Sequence, residues 1–290
     1  MYYLGIFVMV IFILQGVAFL TLLERHVLGG SQCRVGPNKV GYSGLLQAIF
    51  DGLKLIKKEQ LLIMFSPFVS FLLVPVFGFV SMIFFWFVLP YFFFFLSFDL
   101  SGLFFLCVMA FSVYPIMISG ILSGGKYSFL GGVRSSSQSF SYGIAFSFYL
   151  LIFFIFNNGL FFFCGLNLFF LMLFFPFFFM VLMDLHRAPF DFAECESELV
   201  SGFNLEFPSI GFASLFLGEY GNLLFFSCLI SVLFFNFSFF MFYIMLYLII
   251  FSRSAYPRFR FDKLMSFSWF ILLPLGFYFL VCFLFCCCFI

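Results

Sequence analysis

Long stretches of this chain carry no charge at all, and a run of some twenty uncharged apolar residues has few places to go other than a lipid bilayer. Hydrophobic residues make up 65% of the chain and charged residues 9%, with a mean hydropathy of +1.24. A soluble domain carries about 25% charged residues and could not bury so much apolar surface. A spanning helix needs roughly 20 apolar residues, and eight such spans account for the charge-free runs. Four are plain, at about 3–23, 66–90, 100–123 and 267–289. The run 141–183 divides in two at Asn157-Asn158-Gly159, a group of polar turn formers. The run 209–252 divides near Asn236, leaving a short last helix at about 237–252.

The expected fold is therefore all-α, a polytopic integral membrane protein forming one membrane domain over residues 1–290. No segment alternates over about ten residues as a membrane barrel strand does. Phe runs such as Phe92–Phe95 and Phe161–Phe163 favour strands in water, but in lipid the backbone must bond internally, so they read as helix. The opening run leads into Glu24-Arg25 without an Arg-rich or Ser-rich transit segment or a small-residue cleavage site, so it reads as a span that is kept. Phe accounts for 61 residues and Thr for Thr21 alone. That bias points to a T-rich, organellar type of coding.

With eight spans, alternate connections lie on opposite sides. All 13 Lys and Arg residues fall in the connections after spans 1, 3, 5 and 7, approximately 24–65, 124–140, 184–208 and 253–266. The intervening connections hold Asp99 alone. By the positive-inside rule the four cationic loops face the cytoplasm, or the matrix of a mitochondrion. Those loops also hold nearly all the acids, so the working surface belongs on that face. Basic residues interleaved with carboxylates give no support to nucleic-acid binding. Nine cysteines, mostly inside spans and with no CxxC pair, and only His26 and His186 give no zinc or iron–sulfur signature.

In the first inner loop, Leu45, Ile49, Leu53 and Ile56 recur at helical spacing opposite Gln47, Asp51, Lys54 and Lys58, with Ser43 placed to cap. This predicts an amphipathic helix at the interface, either a surface anchor or part of a site. The second contains Gly124-Gly125-Lys126-Tyr127 and Gly131-Gly132-Val133-Arg134 ahead of Ser135-Ser136-Ser137-Gln138; its glycines lack phosphate-loop spacing and read as turns. The third runs from Asp184 through His186, Arg187, Pro189, Asp191, Glu194, Glu196 and Glu198 to Glu206. If 191–198 is helical, Asp191, Glu194 and Glu198 share a face and repel, so some hold protons near neutral pH. A solvated acidic loop is the plainer reading. Against it, these acids sit among apolar residues, and Glu219 lies inside the following span, where an ionisable group is functional by default. Together they suggest a line of carboxylates entering the membrane. The fourth loop, Arg253 to Lys263, interleaves basic and aromatic residues, either as an orientation signal or as an anionic or quinone-ring surface.

Glu24-Arg25, Arg34-Val35-Gly36-Pro37-Asn38, Arg187-Ala188-Pro189-Phe190-Asp191, the run from Glu194 to Glu206 and Tyr256-Pro257-Arg258-Phe259-Arg260-Phe261-Asp262 resemble subunit 1 of NADH:ubiquinone oxidoreductase, respiratory complex I. The resemblance touches all four inner loops and includes the eight spans. It implies a mitochondrial inner-membrane subunit under the peripheral arm, with its cationic loops facing the matrix. Its partners would be the peripheral-arm quinone-site and iron–sulfur subunits, neighbouring membrane-arm subunits and membrane lipids. The substrate would be ubiquinone, with no FMN, iron–sulfur cluster or metal held by this chain and no complete electron-transfer site. By resemblance, Arg25, Arg34, Asp51, Arg134, Phe203 and Arg258 line or shape the quinone chamber. Asp184, Asp191, Glu194, Glu196, Glu198, Glu206 and Glu219 couple it to proton translocation. Two departures stand out. Gly143 replaces the Glu that follows Ser-Tyr in the family, and Asp184 stands where Glu is frequent. Water held by Ser141 or Tyr142 is the expected substitute at Gly143. The competing readings are a stand-alone proton or cation transporter and the related membrane subunit of a hydrogenase-type complex.

Overall fold

The computed structural model describes residues 2–61, 67–91, 100–157, 159–160, 162, 168–193, 199, 202–236 and 238–289. Every regular element among them is helical: α1 (Tyr2–Ser31), α2 (Gln47–Lys57), α3 (Phe68–Trp86), α4 (Ser101–Leu122), α5 (Lys126–Phe156), α6 (Leu168–Asp184), α7 (Ser209–Phe235), α8 (Phe239–Ala255), α9 (Phe261–Phe267) and α10 (Leu273–Phe289). Short 3-10 turns at Tyr42–Gly44 and Gly202–Asn204 and a π turn at Ser268–Leu272 complete the set. Among the described residues six helices are long and apolar enough to cross a membrane, the last being the continuous run Phe261–Phe285, and Leu171–Asp184 and Phe239–Ala255 are shorter apolar helices. The chain is an all-α polytopic membrane protein. Asn236 ends α7 in the left-handed conformation, φ 49°, and α5 stops at Phe156 with Asn157 behind it, so two of the predicted reversals fall where the Asn residues stand.

Two helices outrun their predicted spans. At 30 residues α1 is about 45 Å long against a hydrocarbon core of about 30 Å. Its last turns, with Glu24, Arg25 and His26, therefore continue as helix beyond the apolar run. The 31-residue α5 likewise begins at Lys126, so 126–140 is helix and not a loop. The serines do not break it because their hydroxyls turn back onto the helix, Ser135 to the Gly132 carbonyl, Ser136 to Val133 and Ser137 to Arg134. Gly120 of α4 and Gly132 of α5 let the two backbones meet: a Cβ at Gly120 would lie 2.8 Å from the Gly132 Cα.

The core is built from rings. Phe85, Phe105, Phe225 and Phe226 from α3, α4 and α7 meet at centroid distances of 5.2–6.5 Å, and Phe146 and Phe177 at 5.0 Å extend the group to α5 and α6. Tilted and edge-on contacts of this kind suit aromatic pairs. By contrast α2 buries nothing, and Ile49, Phe50, Leu53 and Ile56 are all exposed along it. Such a helix suits the membrane surface. Ser43 does not cap it; Leu46 occupies the cap without a side-chain bond, and Ser43 sits in the preceding 3-10 turn at φ 55°.

Candidate functional site

Where α6 ends, the chain does not leave the bundle. Leu185, Arg187, Phe190, Asp191, Phe192 and Ala193 are all buried, so the third inner connection folds back among the helices. Gln138 on α5 holds it there, its Nε2 donating to the carbonyls of Met183 at 2.8 Å and Phe190 at 3.2 Å. The 3-10 turn at Gly202–Asn204 packs equally tightly on α5, where a Cβ at Gly131 would come within 3.1 Å of the Gly202 Cα.

This placement drives Arg187 between two carboxylates from different helices. Its Nη1 is 3.7 Å from Glu24 Oε1 on α1 and its Nη2 is 3.9 Å from Glu219 Oε2 on α7. The guanidinium donates to the Tyr220 hydroxyl at 3.2 Å and lies 4.2 Å from the centre of that ring. Arg253 at the end of α8 reaches Glu24 at 2.5 Å. The side chains of Glu24, Arg187 and Glu219 are 7%, 10% and 19% exposed, so the charges are largely withdrawn from solvent and compensate one another. Isolated ions could not be held there.

Next to this network lies a cavity with about 50 Å³ open to water-sized spheres, walled by Asp184, His186, Glu219, Ser139, Asn222 and Phe203 among others. That is room for a few water molecules. Tyr142 donates to Asp184 Oδ1 at one end. Burial holds the His186 imidazole neutral, its pKa lowered to about 4.

The predicted site residues fall into separate groups. Asp184, Phe203 and Glu219 share the cavity, although Phe203 also packs in an apolar cluster with Phe71, Phe207 and Leu215. Arg25 pairs with Asp51 at 2.8 Å on the exposed side of α1 and α2, and Arg258 pairs with the buried Asp191 at 3.6 Å. Arg134 is partly buried on α5, and Arg34 and Glu206 are exposed. Residues 191–193 are not helical, because they continue the buried connection, so the helical face proposed from Asp191 does not form there. Glu194, Glu196 and Glu198 lie outside the described residues. Gly143 borders an open groove walled mainly by Leu106, Met109, Val113 and Phe146, and a Cβ there would meet nothing within 4 Å. Ser141 does not face that groove; its hydroxyl bonds the Gln138 carbonyl and approaches Met265 Sδ. The sequence pattern gave no individual role to Glu24, Arg187, Tyr220 and His186, and it placed Tyr142 beside Gly143 as a water holder and not as the donor to Asp184. The available signals were an acid directly after an apolar span, a lone Arg in an acidic connection and a Tyr beside an intramembrane Glu. Among the described residues no group of three or more His, Cys, Asp or Glu is placed to hold a metal.

An all-helical bundle with a compensated charge network and a small polar cavity among its helices defines a class: all-α polytopic membrane proteins with buried ionisable groups. The comparisons make it particular. The NADH dehydrogenase family model matches residues 4–284. NADH-ubiquinone oxidoreductase chain 1 of Artemia franciscana is 43% identical, over 95% of both chains. The Anopheles gambiae protein of that name is also 43% identical, over 94% of this chain and 91% of its own. The Cyanidium caldarium one is 36% identical over 90% and 84%. The chain belongs to this family, the chain 1 membrane subunits of NADH-ubiquinone oxidoreductase.

Proposed function

We propose that the chain completes the ubiquinone-reduction chamber of a proton-translocating NADH:ubiquinone oxidoreductase in the mitochondrial inner membrane, its cationic segments facing the matrix. The observation that carries this reading is the position of Arg187, at near-equal distance from Glu24 and Glu219 and beside the Asp184 cavity. A guanidinium so placed favours the charged form of whichever carboxylate it approaches. Reduction of quinone creates a proton demand or a negative charge nearby. A small displacement of Arg187 toward one carboxylate then raises the proton affinity of the other, and the cavity offers that proton a wet path to Asp184.

Arg25, Arg34, Asp51, Arg134, Phe203 and Arg258 shape the chamber in this reading, with Arg25 and Arg134 orienting the headgroup or offsetting its charge. Asp184, Asp191, Glu194, Glu196, Glu198, Glu206 and Glu219 form the coupling path. Electrons come from flavin and iron–sulfur partner subunits, and neighbouring membrane-arm subunits complete the pump. The test is Asp184→Asn in the intact complex, which keeps an acceptor for Tyr142 but removes the titrating group. The expected result is normal assembly with proton translocation reduced about tenfold or more. Full translocation in that variant overturns the coupling role.

A further inference from the structure

We propose that His186 relays protons between the two carboxylates of the cavity, Asp184 and Glu219, by exchanging protons between its two ring nitrogens. The inference deepens the coupling role proposed above and rests on it.

His186 Nε2 lies 3.4 Å from Ser139 Oγ. Ser139 stands one turn before Tyr142 on α5, near enough to act on its phenol, and Tyr142 donates to Asp184. One edge of the imidazole therefore meets a hydroxyl chain from α5 that ends on the α6 carboxylate. The other nitrogen, Nδ1, is buried with no hydrogen-bond partner among the described residues, while the ring shares its cavity with Glu219 and Asn222 of α7. A buried imidazole nitrogen left unpartnered beside a cavity of water-holding size is costly as pure packing. It is well suited to meeting a mobile proton.

The groups facing this ring are Asp184 from α6, Ser139 and Tyr142 from α5, Glu219 from α7 and the adjacent Arg187, whose charge is shared with Glu24. In the relay, a proton carried by cavity water forms an N–H bond at one nitrogen. The N–H bond at the other breaks toward the opposite carboxylate, so one proton enters, one leaves and the ring stays neutral at either end of the step. Return of the ring to its first tautomer completes the cycle. A ring kept neutral by burial carries a proton on one nitrogen and a lone pair on the other, so uptake at one and release at the other occur together and the ring need not persist as a cation.

His186 sits at φ 47°, in the left-handed region where glycine is unstrained. His186→Gly therefore removes the ring without straining the backbone. In sealed vesicles of the intact complex, NADH-driven proton translocation should fall about tenfold or more and recover in part with added imidazole but not with pyrrole, a non-basic ring of the same size. No loss in the variant, or equal recovery with pyrrole, overturns the relay. Ser139→Ala serves if the glycine variant fails to assemble, because Ser139 otherwise bonds only back to the Ser135 carbonyl of its own helix. It should slow translocation several-fold, and unchanged translocation overturns the proposal. Asp184→Asn run alongside separates the two ideas: if it abolishes translocation while the His186 and Ser139 variants do not, the relay fails and the coupling role stands.

Discussion

Arg187→Met removes a cation that joins α1 to α7. The side chain is 10% exposed and faces carboxylates that are 7% and 19% exposed. Removing one partner of a buried ion pair costs about 3–5 kcal/mol, chiefly because the remaining charge is left uncompensated. Glu24 keeps Arg253 at 2.5 Å, so the low end applies, about 3 kcal/mol or roughly a hundredfold in an equilibrium constant. Methionine replaces much of the lost volume, so the deficit is electrostatic. The double variant Arg187→Met with Glu219→Gln removes the orphaned carboxylate and should recover about 1–2 kcal/mol. Chemical unfolding of the detergent-solubilised complex, followed by loss of the subunit on native gels, measures both. A cost below about 1 kcal/mol for the single variant, or strict additivity in the double, refutes the reasoning.

Asp51→Asn breaks an ion pair whose members are 49% and 40% exposed. It should change stability by less than about 1 kcal/mol yet raise the KM for quinone if Arg25 orients the headgroup, as steady-state kinetics will show. His186 makes its own contribution to the pH dependence of stability, since its folded pKa of about 4 lies below the unfolded 6.5. That contribution is full above pH 6.5 and is lost as pH drops toward 4, because the unfolded chain takes up the proton first. Relative to His186→Asn, the unfolding constant of the unaltered chain should therefore rise by up to about tenfold per pH unit in that window. Gly120→Val places a Cβ against the Gly132 backbone and should cost about 1–3 kcal/mol in the same assay. Gly30→Ala, whose Cβ meets nothing within 4 Å, should be neutral to slightly stabilising, by up to about 1 kcal/mol.

Span positions were legible because a bilayer imposes a length and a polarity on each helix, and Asn157 and Asn236 mark reversals by ordinary turn chemistry. The inner ends were harder to read. Once α1 and α5 pass the hydrocarbon, polarity no longer signals the end of a helix, so Glu24–Ser31 and Lys126–Phe140 look like loop while hydrogen bonding keeps them helical. Asp184 at the end of a span and Glu219 inside the next were recognisable as acids set among apolar residues. Arg187 between Glu24 and Glu219 was not, since nothing local to residues 24, 187 and 219 says that they meet. That meeting depends on the connection after α6 turning inward, which Gln138 secures from 45 and 52 residues away.

Glu219 faces Arg187 and borders the Asp184 cavity, which is why we propose it as part of the path coupling quinone reduction to proton movement. The most direct measurement is the number of protons translocated per NADH oxidised by the intact complex in sealed vesicles, with Glu219→Gln beside the unaltered chain. The Glu219→Gln complex should assemble and show a ratio well below that of the unaltered one. An unchanged ratio at full turnover would contradict it.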